Sequence, residues 1–320
     1  VIDGLSSIEI RPDRKSRGLH RPARRNHDAS AQDVPQPGDR LGPYLLLEEI
    51  GRGGMGLVYK ARQERLNKIF ALKLLSATRV NEPRMQERFR REMRAAGKIE
   101  HPNVVRASDA DEVDGVYFLV MEFVDGLDLA ALRKHHTRFS VGHACEMIRK
   151  TAVGLAEIHR AGMVHRDMKP GNLMLSRDGQ IKILDLGLAL LNPQYAIVAT
   201  NLTSADQLVG TIDYMSPEQA GTTHKIDHRA DIFGLGATLF TLLTGRGPLP
   251  GGNANLIQKL SALANETAPS VQSFRDDVPD ELAVIVANML QKNPEQRIST
   301  ASDVVVALRP FCDGTGLADL

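Results

Sequence analysis

Between Gly51 and Gly56 the chain reads Gly-Arg-Gly-Gly-Met-Gly, and the residues just after it have the pattern of a strand rather than a helix. A GxGxxG run alone is weak, because this much glycine produces one by chance in roughly one chain in five. In a dinucleotide-binding fold the glycines open a helix, whose N-terminus holds the pyrophosphate. Here they stand between Tyr44-Leu-Leu-Leu-Glu-Glu-Ile50 and Leu57-Val-Tyr-Lys-Ala61, both of which read as strands. The run is therefore a hairpin lid. Glycine leaves its backbone N–H groups unobstructed, so they can close over phosphates. A nucleotide-dependent oxidoreductase is disfavoured at once.

Further along, Ile69-Phe-Ala-Leu-Lys-Leu-Leu75 is a third strand, short and largely apolar. From Pro83 a helical period takes over, with Met85, Phe89, Met93 and Ala96 on one face. Val104-Val105 and Val116 to Met121 are read as two more strands, separated by the Asp114-Gly115 turn. Beyond Gly126 helices dominate: Ala144, Ile148, Ala152, Leu155 and His159 form one stripe, and Ile232 to Leu243 is apolar on most sides until Gly245 stops it. A strand-rich first lobe and a larger helical lobe make an α+β pattern with a cleft between them. The chain's 320 residues suit two such lobes.

Residues 1 to about 38 differ. Basic residues crowd between Arg11 and Arg25 with no recurring apolar stripe, so the segment reads as disordered and as a solvated leader. The net charge of +1 gives no global sign of nucleic acid or of an anionic membrane as partner. The run from Ile232 to Leu243 falls short of the roughly 20 residues that span a bilayer, and no apolar signal-peptide region appears. Cys145 and Cys312 lie far apart with no CxxC pairing, which argues against a disulfide framework and fits a reducing cytosol. The expectation is a soluble, cytoplasmic chain.

Strand alternation turns Lys73 to the same face as Ala71 and Leu75, and an inward ammonium needs a partner or an anionic ligand. Glu92, three residues after Phe89 and four before Ala96, also turns inward, so the two suggest an ion pair across the cleft. The decisive segment is His165-Arg-Asp-Met-Lys-Pro-Gly-Asn172, with Asp185-Leu-Gly187 following the strand Ile181-Lys-Ile-Leu184. Its specified residues would coincide by chance on the order of once in ten thousand chains of this length. With these motifs the chain resembles the Hanks-type serine/threonine protein kinases, particularly the bacterial branch, from about Leu41 to about Pro310.

The resemblance implies a two-lobed protein kinase fold: an N-terminal antiparallel β-sheet lobe with one helix, and a larger C-terminal helical lobe. It implies ATP, Mg2+ (with Mn2+ able to stand in) and transfer of the γ-phosphate to Ser or Thr of protein substrates. Gly51, Gly53, Gly54 and Gly56 would cover the phosphates, Lys73 would hold the α- and β-phosphates, and Glu92 would hold Lys73. Asp167 would orient the substrate hydroxyl and accept its proton, and Lys169 would reach the γ-phosphate. Asn172 and Asp185 would bind the metal, since hard oxygen ligands suit that ion. Adenine would meet Ile50, Val58, Ala71, Met121 and Met174, and the backbone near Glu122 and Val124. Asp128 falls where the family contacts ribose or a basic substrate residue.

Four further residues take structural roles under the same resemblance. Glu218 would pair with Arg297, Asp231 would cap backbone N–H groups and brace the catalytic loop, and Arg166 would receive an activation-loop phosphate. That loop offers Thr200, Thr203 and Ser204, which points to autophosphorylation at Thr203 or its neighbours. His165 reads as a packed core histidine, and His135, His136 and His143 as surface residues, their spacing matching no metal motif. Lys169, two positions after Asp167, is the serine/threonine pattern.

The chain departs from the family where Leu186 replaces the phenylalanine of Asp-Phe-Gly, and again at Phe233-Gly234; neither change removes a catalytic group. A pseudokinase scaffold is disfavoured because Lys73, Asp167 and Asp185 are all present. A small-molecule phosphotransferase is disfavoured by the peptide-platform segment from Gly210-Thr211 to Glu218. The domains expected are a disordered basic segment at 1–38, a catalytic domain at 39–310 (N-lobe 39–122, hinge 122–126, C-lobe 127–310) and a tail at 311–320. Beginning on Val1, the chain reads as a whole kinase or as the cytoplasmic part of a larger membrane-anchored one, and the resemblance admits a homodimer.

Overall fold

The computed structural model describes residues 34–53, 56–75, 87, 91, 93–186, 212–221, 226–250, 254–312 and 316–320. Gln36–Leu320 form one compact unit. Its first part is a six-stranded antiparallel sheet in the order β1-β2-β3-β4-β6-β5, from β1 (Arg40–Leu41), β2 (Tyr44–Gly53), β3 (Gly56–Gln63), β4 (Lys68–Leu75), β5 (Ala107–Val113) and β6 (Val116–Glu122). β4 is central and buried on both faces. Phe70, Leu72 and Leu74 join Tyr59 and Phe118 in one cluster, while Ala71 and Leu75 join Leu119, Met121 and Val105 in another, on the side where Lys73 lies. The β2–β3 hairpin closes at Gly53 opposite Gly56.

Contrary to the expectation from sequence, Val104-Val105 is not a strand; Val104 makes only an isolated bridge to Ile183, and both valines pack inward. The strand preceding the Asp114-Gly115 turn is β5, Ala-Ser-Asp-Ala-Asp-Glu-Val, whose five central residues are exposed. As an edge strand it lacks the apolar alternation that betrays a half-buried one. The turn itself takes positive φ at both residues, 51° at Asp114 and 78° at Gly115, which matches the twist of a two-residue hairpin.

Of the helical residues that come after β4, those at 93–96 bury Met93 and Ala96. Met85, Phe89 and Glu92 fall outside the described residues. After the hinge come a three-stranded sheet, β7 (Gly126–Asp128), β8 (Leu173–Ser176) and β9 (Ile181–Ile183), and the helices α1 (Leu129–His135), α2 (Val141–Arg160), α3 (Pro217–Ala220), α4 (Arg229–Thr244), α5 (Leu256–Asn265), α6 (Asp280–Met289) and α7 (Ala301–Leu308). α2 starts on a Ser140 cap and turns Ala144, Ile148, Ala152 and Leu155 into the core. α4 is buried from Ala230 to Leu243, which explains why its sequence shows no polar face; Gly245 ends it with φ 79°. Near the end of the chain, Leu317 is buried in this core.

Candidate active site

A cleft of about 710 Å3 opens between the sheet and the helical part, and it collects side chains from widely separated places in the sequence. Its roof comes from Ile50 and Gly51 of β2 and from Gly56 and Val58 of β3. Gly56 has φ 136°, and a Cβ there would collide with the Leu74 carbonyl oxygen, so glycine is required where β3 meets the end of β4. Gly53 pairs with Gly56 across the hairpin, and Gly54 lies outside the described residues. Ala71, Met121 and Met174 supply apolar walls, and Glu122 to Gly126 runs along the back.

The hinge is held at both ends. Glu122 accepts the Arg106 N–H at 2.9 Å and the Lys182 ammonium of β9 at 2.8 Å. At the other end Gly126 packs so closely on β8 that a Cβ would strike Leu175 O. Sequence reasoning missed Val105 and Leu184, which also line the cleft. Leu184 could have been found, since it directly precedes Asp185 in an apolar run; Val105 was obscured by its assignment to a strand. Asp128 lines the mouth, yet its Oδ1 accepts from Ala131 N at 2.8 Å as the cap of α1.

The polar groups converge on the floor. Asp167 Oδ2 accepts from Lys169 Nζ at 2.8 Å and from Asn172 Nδ2 at 2.8 Å. Asn172 Nδ2 also donates to Asp167 O at 2.7 Å, which fixes the amide with its oxygen turned to the other side. Lys73 Nζ, with only 3% of its side chain exposed, pairs with Asp185 Oδ1 at 2.7 Å. Burial alone would raise the Asp185 carboxyl, but the Lys73 ammonium beside it holds it below the usual carboxylate range. Glu92, the partner that the sequence assigns to Lys73, is outside the described residues, as are Gly187, Thr200, Thr203 and Ser204.

Local backbone and core contacts set this arrangement. Arg166 and Asp185 take positive φ, 69° and 61°, a region that costs a non-glycine residue energy and persists only when neighbours enforce it. Asp231 is one enforcer: its Oδ1 accepts from Arg166 N at 2.6 Å and its Oδ2 from His165 N at 2.8 Å. It does not cap its own helix, whose first turn begins at His228 without a side-chain cap. His159, at the polar end of the α2 stripe, contributes Nε2 to Asp231 Oδ2 at 2.8 Å. His165 is wholly buried; a carbonyl can only accept, so Nε2 donates to Leu184 O at 2.7 Å, while Nδ1 accepts from Asp167 N at 3.3 Å. Leu186, in the place of phenylalanine, is 6% exposed within the helical core. Glu218 and Arg297 form a buried two-pronged pair at 2.6 and 2.7 Å.

No group of three or more His, Cys, Asp or Glu residues suited to a metal occurs among the described residues. Asn172 and Asp185 nevertheless present oxygen donors to one cleft. Two such donors suit a hard divalent ion that completes its shell with phosphate oxygens and water.

A curled antiparallel sheet over a helical lobe, with two lysines, two aspartates and an asparagine meeting in the cleft, is the architecture of the two-lobed protein kinase fold. The chain belongs to the protein kinase domain family, whose model matches residues 44–307. Its relatives place it in the Hanks-type bacterial serine/threonine branch. It is 35% identical over 270 residues to serine/threonine-protein kinase PknE of Mycobacterium tuberculosis, covering 84% of this chain and 46% of that protein. It is 34% identical over 278 residues to serine/threonine-protein kinase PrkC of Bacillus subtilis, covering 86% of this chain and 41% of PrkC. The chain thus spans under half the length of these relatives. In fold it is similar to the crystal structure of the Mycobacterium tuberculosis PknI kinase domain, with a TM-score of 0.67 at 23% identity over 87% of this chain and all of that one. The family uses ATP and a divalent metal ion. Among the described residues no helix is long and apolar enough to cross a membrane.

Proposed function

We propose that this chain transfers the γ-phosphate of ATP to serine or threonine hydroxyls of proteins, with Mg2+ as the metal and Mn2+ able to replace it. The observation that carries the reading is Asp167, whose Oδ2 is held between Lys169 and Asn172 at 2.8 Å each and faces the cleft. Phosphoryl transfer asks the protein mainly for positioning and charge stabilisation, and these groups supply both. Asp167 orients the substrate hydroxyl and takes its proton as the oxygen attacks phosphorus. Lys169, already beside Asp167, meets the charge on the transferring group. Lys73 holds the α- and β-phosphates, with Glu92 its partner on the following helix. A divalent metal held by Asn172 and Asp185 would neutralise phosphate charge.

Gly51, Gly53, Gly54 and Gly56 shield the phosphates from water, and Val58, Ala71, Met121 and Met174 with Ile50 enclose the adenine. The backbone of Glu122 and Val124 hydrogen-bonds its edge. We assign the catalytic domain to 39–310; β1 starting at Arg40 and α7 ending at Leu308 support those bounds. Autophosphorylation at Thr200, Thr203 or Ser204, with Arg166 receiving the phosphate, belongs to the same reading.

The test is phosphate transfer from labelled ATP with Mg2+ to the chain itself and to casein, with labelled sites mapped by mass spectrometry. The expected outcome is phosphoserine or phosphothreonine from the wild type, falling at least about 10³-fold in Asp167→Asn and Lys73→Met. No transfer by a wild type that still binds ATP would replace the enzyme with a nucleotide-binding scaffold.

A further inference from the structure

Lys259 sits where a lysine is least expected. α5 buries Lys259, Ala262 and Leu263, the i, i+3, i+4 stripe it turns to the core. Only 6% of Lys259 is exposed, and burying an unpaired ammonium is costly. Its Nζ donates to Asp213 Oδ1 at 2.8 Å, tying α5 to a residue 46 positions earlier.

Asp213 belongs to the run 212–216 that leads into α3, and that run lies against the catalytic loop. Gln219, in α3, donates to Arg166 O at 2.7 Å, one residue before Asp167. At Gly234 of α4 an added Cβ would meet Met168 O at 2.7 Å and Tyr214 O at 3.2 Å, so a single helix surface supports both segments. Over the Asp213 carboxylate lies Gly247, where a Cβ would come 3.0 Å from Asp213 Cγ. Enclosed in this way, the Asp213 carboxyl is raised by burial, with the Lys259 ammonium opposing the rise. Neither residue lines the nucleotide cleft.

We propose that Lys259 is a positioning residue for the protein substrate: through Asp213 it fixes the run 212–216 as the platform on which the acceptor segment lies beside Asp167. The proposal rests on the kinase reading of the cleft. Removing the ammonium leaves a half-buried carboxylate, 20% of its side chain exposed, without its charge partner, and the run must shift to hydrate it fully. A displacement of roughly 1 Å far from the reacting atoms can cost about 10²-fold. The loss falls on the protein substrate, because the walls of the nucleotide cleft are built from other elements.

The experiment uses the full 320-residue chain and measures initial rates against casein and against ATP for the wild type, Lys259→Met, Asp213→Asn and the double variant. The expected result is a fall of at least about tenfold in kcat/KM for casein, with KM for ATP changed by less than about twofold. The double variant should lose no more than the worse single one, since the pair acts as a unit. Equal losses toward ATP and casein, no loss toward casein, or losses that add in the double variant overturn the proposal. If Lys259→Met does not fold, the near-isosteric Asp213→Asn decides by the same split between substrates. A wild type that binds ATP yet labels neither itself nor casein sinks the kinase reading and this proposal together. An active wild type with unaffected variants sinks only the platform.

Discussion

Arg297 shows how much a single residue can be asked to do. Its side chain is fully buried, and all five N–H donors of the guanidinium are used: two on Glu218, and one each on the carbonyls of Gln291, Arg229 and Lys292. The plane also lies 5.1 Å from the centre of the Phe233 ring. Charge alone would be kept by lysine, but an ammonium has three donors and no fork, so at least two of the five acceptors, drawn from Glu218, Arg229 and the consecutive Gln291 and Lys292, would lose their partner. Arg297→Lys is therefore expected to destabilise the fold by about 3 kcal/mol, close to the cost of breaking the pair outright. Denaturant titration would measure it, and a loss below about 1 kcal/mol would mean that charge, and not the fork, matters. The sequence suggested the Glu218–Arg297 pair only through resemblance. Nothing in the spacing of residues 79 positions apart announces five satisfied donors.

At the scale of elements, legibility followed burial. β4 and α4 could be read because they are enclosed on nearly every side, and their composition says so. β5 could not, because its exposed acidic residues carry the composition of a loop while its backbone pairs with β6 from Asp109 to Val113 and, past an irregularity at Ser108, at Ala107. The cleft residues Lys73, Asp167, Asn172 and Asp185 were legible from motif, whereas the part played by α4 was only half visible. Asp231 reads as a helix cap, yet its oxygens are spent on the N–H groups of His165 and Arg166 and on His159. The helix thereby acts as a rigid post for a loop whose Arg166 holds φ at 69°. Asp231→Asn replaces one acceptor oxygen with an N–H2 that faces another N–H. The expected outcome is a kcat lower by about 10- to 100-fold with KM for ATP little changed, because the strained loop relaxes while the nucleotide walls stay. Steady-state kinetics would check it; a rise in KM for ATP equal to the fall in kcat would show that the post supports the whole cleft instead.

Across the whole unit, the sheet and the helical lobe are joined covalently through the hinge, and side chains reinforce that link. Lys182 is one of them. It rises from β9, the strand that leads to Asp185, and meets Glu122 at the end of β6, the strand that leads into the hinge. The same Glu122 oxygen accepts the Arg106 N–H, so the ammonium pulls on a carboxylate that is already fixed to the sheet. The pair is part exposed, 18% at Lys182 and 28% at Glu122, and magnitude decides what it can do. An ion pair in such a setting contributes no more than about 1 kcal/mol and is screened by salt. It cannot hold the cleft shut, but it can bias how far the two parts stand apart before nucleotide enters. Lys182→Met should accordingly raise KM for ATP by no more than about fivefold, the equivalent of that energy, with kcat nearly unchanged. The difference between wild type and variant should also shrink as salt rises from about 0.05 M to about 0.5 M. A larger, salt-independent effect would mean that Lys182 acts through packing of its aliphatic stem against the cleft wall, and the hinge would then owe its geometry to shape rather than to charge.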